Sequence, residues 1–163
     1  MFRKISDFIN VWKYETESTL KLYKVLTNDV LDVKIYPEGR TLLLLASHIN
    51  HTLTEMMHHA GLPIEENKFE YKTAEELISQ YQMDATKVAE VVAANWTDDQ
   101  VENKIKMYGM DWSIGDTLHI LITHQSHHRG QLTVLMRQAG LKVPGVYGPS
   151  KEEWIAYGQE PLK

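Results

Sequence analysis

Apolar residues recur at intervals of three and four along four long stretches of this 163-residue chain, and no other sequence feature constrains its fold as strongly. Such spacing places the apolar side chains on one face of an α-helix. The stretches run from about residue 3 to 26, from Thr41 to Gly61, from Thr73 to about Asn95 and from Ser113 to Gly140. Four amphipathic helices joined by connectors of moderate length predict an all-α four-helix bundle that forms one domain, residues 1–163.

Residues with helix-boundary preferences stand at the ends of these stretches. Thr73–Glu76 and Ser113–Asp116 have the pattern of a capping box, in which each side chain accepts a backbone N–H of the other residue. Gly61 and Gly140 occupy the position at which helices commonly end. The Ser150–Glu153 pair repeats the capping pattern after a segment rich in Pro and Gly, and predicts a short C-terminal helix directly after it.

The segment before the fourth helix, Trp96 to Trp112, has no sustained helical period. Residues Val101 to Met110 are expected to be irregular and extended, or to form a β-hairpin with Gly109 in its turn. The segment Asn28 to Arg40 carries a Pro and a Gly, which are typical of turns, and we expect it to connect the first two helices.

The composition excludes several classes of function. The chain has no Cys, so disulfide scaffolds, thiolate metal sites and Cys nucleophiles are excluded, and any metal must bind to His and carboxylates. A formal net charge of -5 and the lack of a basic run argue against nucleic-acid binding, which needs clustered Lys and Arg. The longest apolar run, Leu42 to Ala46, is too short to span a membrane, and the N-terminal segment lacks a signal-peptide pattern. We therefore expect no membrane partner and a cytoplasmic location.

All eight His lie in two windows, one on the second predicted helix and one on the fourth. At about 100° per residue, His124 and His128 flank the apolar face of the fourth helix, and their one-turn spacing lets both imidazoles reach one ion. On the second helix, His48 lies at the margin of the apolar face, near the helix middle. We therefore predict a metal site on His48, His124 and His128.

Two other interpretations fit parts of this pattern. The imidazoles can be residues at the edge of the core that hydrogen bonds satisfy without a metal. Glu55-x-x-His58 and Asp116-x-x-His119 resemble halves of the di-iron signature of helical bundles, but both His point to the polar side and no further inward carboxylates are evident. His127 is also expected to face solvent, and the pattern assigns no role to His51 and His59.

Two sequence strings resemble the DinB/YfiT-like family. They are HQSHHRGQ, from His124 to Gln131, and LLASHI around His48. In that family, one His lies on the second helix and two more lie one turn apart just before Arg-Gly-Gln. The segment Val143 to Pro149 resembles the Bacillus-type branch. The resemblance covers nearly the whole chain in the order and spacing of its elements.

The resemblance implies a four-helix bundle with a three-His site for one divalent ion per chain, commonly nickel or zinc, and a homodimer. Imidazole ligands also suit iron. Relatives resemble transferases or isomerases that use a low-molecular-weight thiol with a small-molecule substrate. Metal-assisted hydrolysis is the competing hypothesis, with Glu55 as a candidate base because it shares the side of His48. A dimeric metal-binding protein of stress response or protein interaction, without catalysis, is the alternative.

Three further residues are candidates for contacts around the metal or with substrate. Arg129 follows a predicted ligand and can bind an anionic substrate group. Its position on a helical wheel lies off the core face, so an ion pair at the surface or at an interface is the alternative. Gln131 lies about one turn from His128 and can orient that imidazole. Tyr147 in the Pro- and Gly-rich tail is a candidate lid over the site, with packing of the tail on the bundle as the alternative.

Overall fold

The computed structural model describes residues 2–160, which form five α-helices and a two-stranded antiparallel sheet. The elements in chain order are α1 (Ile5–Tyr23), α2 (Leu42–His59), α3 (Ala74–Asn95), β1 (Lys104–Met107), β2 (Met110–Ser113), α4 (Ile114–Gln138) and α5 (Lys151–Trp154). Short 3-10 turns lie at Asn28–Val30, Asp98–Gln100 and Ile155–Tyr157. The predicted four-helix bundle with a short C-terminal helix is confirmed. None of the helices in this range is both long and apolar enough to cross a membrane.

Each of the four long helices packs against two others, in the order α1, α3, α2, α4 and back to α1. α1 and α2 are therefore diagonal to each other, whereas α2 and α4 are neighbours. Fully buried side chains from all four helices fill the space between them, among them Trp12, Leu53, Tyr81 and Leu118. Burial of such side chains contributes about 1.5–3 kcal/mol each and is the main favourable term in folding.

Buried polar groups bond one helix to another within this core. The indole Nε1 of Trp12 donates to the backbone oxygen of Ala85 at 2.9 Å. The Tyr23 hydroxyl donates to Asn50 Oδ1 at 2.9 Å, and Asn50 Nδ2 donates to the backbone oxygen of Leu77 at 3.0 Å. Since an unpaired buried polar group costs about 1–3 kcal/mol, these bonds favour one relative placement of α1, α2 and α3.

The predicted helix boundaries are largely confirmed. Thr73 and Glu76 form a reciprocal capping box at the start of α3, and Ser113 and Asp116 form one at the start of α4. α1 ends at Tyr23, earlier than the predicted residue 26. Leu26 is still buried, but its N–H bonds to the carbonyl three residues back, so the regular helix has already ended.

The segment before α4 is a β-hairpin, one of the two predicted alternatives. It lies at Lys104–Ser113, further along the chain than the predicted Val101–Met110. Tyr108 and Gly109 form its two-residue turn, with φ angles of 51° and 81°. Positive φ at both positions is characteristic of the type I′ turn, whose twist matches that of paired strands. Because β2 runs directly into α4, the hairpin is held close to the helix that carries half of the histidines.

Candidate metal centre

Three histidines from two neighbouring helices converge on one point. Nε2 of His128 lies 3.1 Å from Nε2 of His48 and 3.1 Å from Nε2 of His124. His124 and His128 stand one turn apart on α4, and His48 reaches them from α2. Their ligand atoms all lie within 4.8 Å of one another, close enough to hold one metal ion. The structure thus brings together the three residues that the sequence predicted as ligands.

Hydrogen bonds among the three rings cannot satisfy all three nitrogens. Nδ1 of His128 lies 2.8 Å from the amide oxygen of Gln131, so Nδ1 carries the proton and Nε2 presents a lone pair. That lone pair can accept one good hydrogen bond, yet two Nε2 atoms approach it. Nitrogen ligands about 2.0–2.1 Å from a tetrahedral zinc ion lie about 3.3 Å apart, close to the separations found here. The donor set therefore fits a divalent ion better than a hydrogen-bonded cluster.

Burial keeps the three imidazoles in the neutral form that binds metal. Burial, the positive charge of protonated His128 and that of Arg40, in decreasing order, together lower the pKa of His48 to about 4. Burial, followed by the charge of His128, also lowers the pKa of His124 to about 4. The pKa of His128 is lowered mainly by burial, while its hydrogen bond with Gln131 acts in the opposite direction. At neutral pH, little or no free energy is needed to deprotonate these ligands before a metal binds.

We expect metal affinity to be nearly independent of pH between about 8 and 5.5, and to fall below about pH 5. Protons compete with the ion only where the imidazoles become protonated. The pKa values of about 4 for His48 and His124, together with the lowered pKa of His128, place that competition below the ordinary His pKa of about 6.5. Zinc titration against a competing chelator at a series of pH values measures this dependence. A steep loss of affinity already between pH 7 and 6 would contradict the lowered pKa values.

Gln131 supports the candidate metal centre without lying among its ligands, because its amide oxygen accepts a hydrogen bond from Nδ1 of His128. Replacing it with Ala is expected to weaken metal binding by about 10-fold, since the imidazole loses the bond that fixes its tautomer and orientation. Competitive zinc titration measures the effect. Gln138→Ala, at an exposed position on the same helix, is the matched control and should bind zinc as the wild type does. Equal affinities of the two variants would mean that His128 does not depend on Gln131.

Two cavities have the histidines in their walls. One, of about 420 Å³, is lined by His128 and Gln131 together with Arg40 and apolar side chains. The other, of about 470 Å³, is lined by His48 and His124 together with Glu55 and the aromatic residues of the hairpin. Volumes of about 300–1,000 Å³ are usual for small-molecule sites. A small molecule can therefore approach the cluster from two sides, at His128 from one cavity and at His48 and His124 from the other.

Glu55 lines the same cavity as His48 and His124, but its carboxylate already has partners. The Tyr108 hydroxyl donates to Glu55 Oε2 at 2.8 Å, and His59 Nε2 lies 3.3 Å from Oε1. Burial and the bond to this carboxylate both raise the pKa of Tyr108, so the phenol keeps its proton at neutral pH. Tyr108 was not predicted as a site residue, because its approach to α2 depends on how the hairpin docks.

Arg129 is buried, and its expected position off the core face is wrong. Its side chain is 3% exposed and forms an ion pair with Glu15 of α1, which is 4% exposed. Arg129 also donates to the backbone oxygen of Glu15 at 3.0 Å and to Thr19 Oγ1 at 3.1 Å. The helical-wheel prediction for Arg129 is wrong because α4 packs against both α1 and α2. The buried surface of α4 is therefore wider than a single apolar stripe.

Tyr147 belongs to this ion pair and does not line either cavity at the histidines. Its hydroxyl lies 2.8 Å from Glu15 Oε1 and 2.6 Å from Nη2 of Arg129, and its ring lies 5.9 Å from that of Tyr14. The tail therefore packs on α1 and α4, which was the alternative to a lid. Glu15 was not predicted. Its position among the inward-facing residues of α1 was the available signal, since a charged residue there needs a partner.

The five remaining histidines lie outside the three-His cluster. His51 and His58 contact backbone oxygens of the chain after α2, at 2.9 Å from Phe69 and 2.8 Å from Ile64. His119 and His127 are exposed, as their positions around the predicted helix indicated. Because His58 and His119 do not join a second cluster of ligands within residues 2–160, the di-iron pattern has no counterpart there.

The fold and this centre define a class: helical bundles in which one His of the second helix and two of the last long helix can hold a metal ion. The sequence profile of the DinB family matches residues 1–161, and the chain belongs to the DinB family. The resemblance to DinB-like proteins is thereby confirmed.

Relatives and solved structures agree with this assignment. The chain is 35% identical, over all of its own length and 99% of the relative, to the uncharacterized protein YrdA of Bacillus subtilis strain 168. A crystal structure of a DinB-like protein from Bacillus cereus ATCC 10987 is similar over 90% of this chain and 100% of that one, with a TM-score of 0.85 and 39% identity. The DinB-like protein YjoA of Bacillus subtilis matches 88% of this chain and 99% of its own, with a TM-score of 0.70 and 16% identity, and shares the fold.

Proposed function

We propose that this protein is a metal-dependent enzyme that holds one divalent ion, nickel or zinc, on His48, His124 and His128. The observation that carries the proposal is the convergence of three neutral imidazole nitrogens at a point that two cavities reach. Three protein ligands with an open side are the arrangement of catalytic metal sites, whereas structural sites are closed by four. When bound, such an ion supplies Lewis acidity and lowers the pKa of a bound water or thiol.

The residues around the histidines suit the transformation of a small molecule. In the larger cavity, the Glu55 carboxylate can accept a proton from a water or a substrate and then pass that same proton to the leaving group. The 2.8 Å hydrogen bond that the Tyr108 hydroxyl donates to Oε2 orients this carboxylate. Trp112 and Met56 offer apolar surface for the substrate in the same cavity. Since the chain has no Cys, a thiol-dependent reaction would use a thiol that the cosubstrate brings.

Metal content and two assays test this proposal. Tag-free protein is dialysed without chelator, its metal is quantified by plasma mass spectrometry, and zinc and nickel are then titrated; we expect about one ion per chain. The loaded protein is assayed for hydrolysis of nitrophenyl esters and for transfer of a small thiol to an aryl chloride. Glu55→Gln separates the two chemistries, because it should abolish hydrolysis and leave thiol transfer largely intact.

Each outcome has a definite meaning. Absence of stoichiometric metal after titration would overturn the proposal and leave the histidines as residues at the edge of the core. One ion per chain without either activity would overturn the enzymatic part, and would favour a metal-binding protein of stress response or protein interaction.

A further inference from the structure

The smaller cavity beside the histidines contains one cationic side chain among mostly apolar walls. Arg40 lines it together with His128, and Ile35, Leu45 and Leu135 supply apolar surface. Neither an ion pair within 4.0 Å nor a side-chain hydrogen bond engages Arg40 anywhere in residues 2–160. An arginine that lines a cavity without a protein partner keeps all five N–H donors available for a ligand.

Arg40 shares a cavity wall with one of the three histidines. Arg40, His128 and Gln131 all line the same cavity of about 420 Å³. His128 is also the ring whose Nε2 lies 3.1 Å from Nε2 of His48 and 3.1 Å from Nε2 of His124. A small molecule in this cavity can therefore contact both Arg40 and the metal centre.

The connector before α2 holds Arg40 in this position. The N–H of Gly39 donates to the backbone oxygen of Tyr36 at 2.9 Å, which closes a turn directly before Arg40. The N–H groups of Leu42 and Leu43 donate to Val33 and to Leu31 at 3.0 and 2.9 Å, so both sides of the turn are tied together. A side chain at residue 39 would place its Cβ 3.1 Å from the Tyr36 oxygen, which favours Gly in this compact turn.

The rim of the cavity is apolar and open to solvent. Ile35 is 55% exposed and Tyr36 is 58% exposed, and both line the cavity. Gln131 also lines it, but its amide is already engaged with His128 and His127. The cavity therefore presents one cationic group next to apolar surface. This combination is complementary to a molecule that carries an anionic group on an apolar chain.

We propose that Arg40 binds the anionic group, carboxylate or phosphate, of a small organic substrate whose apolar part lies along Ile35, Leu45 and Leu135. This inference rests on the proposed function and names the substrate class of the same centre. The cavity on the other side of the histidines has the opposite character, since its charged group is Glu55. A molecule with an anionic end is thus directed to the Arg40 side.

The test uses hexanoate and its neutral analogue hexanamide as probes. Both are titrated into ¹⁵N-labelled protein, metal-free and zinc-loaded, and affinities are taken from amide shifts of Gly39, Arg40 and Gln131. We expect the metal-free wild type to bind hexanoate about 10-fold more tightly than hexanamide, as a hydrogen bond to a charged group provides. Arg40→Gln should reduce the preference to less than about twofold.

Two further variants control for charge and geometry. Arg3→Gln removes the same charge from an exposed position that lines neither cavity, and should keep the wild-type preference. Arg40→Lys keeps the positive charge but lacks the planar guanidinium that can form two parallel hydrogen bonds. This variant should retain part of the preference for hexanoate over hexanamide. Titration of the wild type with hexyl phosphate distinguishes the two anionic groups. Tighter binding than hexanoate would indicate that the substrates carry a phosphate, and weaker binding would indicate that they carry a carboxylate.

The result that overturns this inference differs from the result that overturns the proposed function. Equal affinity of the metal-free wild type for hexanoate and hexanamide, or an undiminished preference in Arg40→Gln, would show that Arg40 does not bind the anion. Failure to bind metal would leave those two measurements unchanged, because they are made on the metal-free protein.

Discussion

Arg129→Ala is expected to lower the free energy of unfolding by about 3–5 kcal/mol, because it leaves the Glu15 carboxylate buried without its partner. Both side chains are nearly inaccessible, and the guanidinium bonds to Glu15, Thr19, Ser126 and Tyr147. Most of the loss is the cost of an uncompensated buried charge, since the Coulomb attraction of the intact pair is largely offset by desolvation. Urea unfolding followed by circular dichroism measures the difference.

Matched variants separate this burial effect from the loss of an arginine as such. Arg137→Ala breaks an exposed ion pair with Glu152, 2.7 Å between Nη1 and Oε1, and should cost less than about 1 kcal/mol. Replacing both buried partners, Glu15→Leu with Arg129→Met, should recover most of the stability that Arg129→Ala loses. If Arg129→Ala cost no more than Arg137→Ala, the Glu15 carboxylate would have to be solvated or protonated in the folded protein.

His124→Ala and His48→Ala are each expected to reduce bound metal from about one ion per chain to less than about one tenth. The two imidazoles that remain in either variant cannot replace the third. The loss of a ligand should therefore exceed the 10- to 100-fold effect of losing a residue that only hydrogen-bonds to a ligand. Plasma mass spectrometry on dialysed protein measures the content. His119→Ala is the control, because His119 is exposed on α4 and outside the cluster.

The same variants should remain folded, which makes their metal content interpretable. His48 and His124 are half-buried at the edge of the core, so their truncation removes few packing contacts. Far-ultraviolet circular dichroism and the urea midpoint check this for each variant. Metal content that stayed near the wild-type value in both variants would mean that the ion binds elsewhere.

Much of the fold follows from local sequence patterns. Thr73 with Glu76 and Ser113 with Asp116 mark helix starts by bonds that involve only the first turn, so a short sequence suffices to predict them. The pair His124 and His128 is one turn apart on any helix, and its position relative to the apolar residues turns it toward the bundle. Apolar periodicity and one-turn spacing are properties of a single helix. They can therefore be recognised in the sequence without knowing which other helices pack against it.

Patterns within single elements are enough to predict the four helices, most of their ends and the three histidines that can face one another. Packing between elements is what buries Arg129 against Glu15, brings Tyr108 of the hairpin to Glu55 and places Arg40 in the wall of a cavity at the histidines. Each of these contacts joins residues of different elements, so it depends on which helix faces are adjacent and how loops dock. In a bundle where each helix has two neighbours, one helical wheel describes only part of the buried surface.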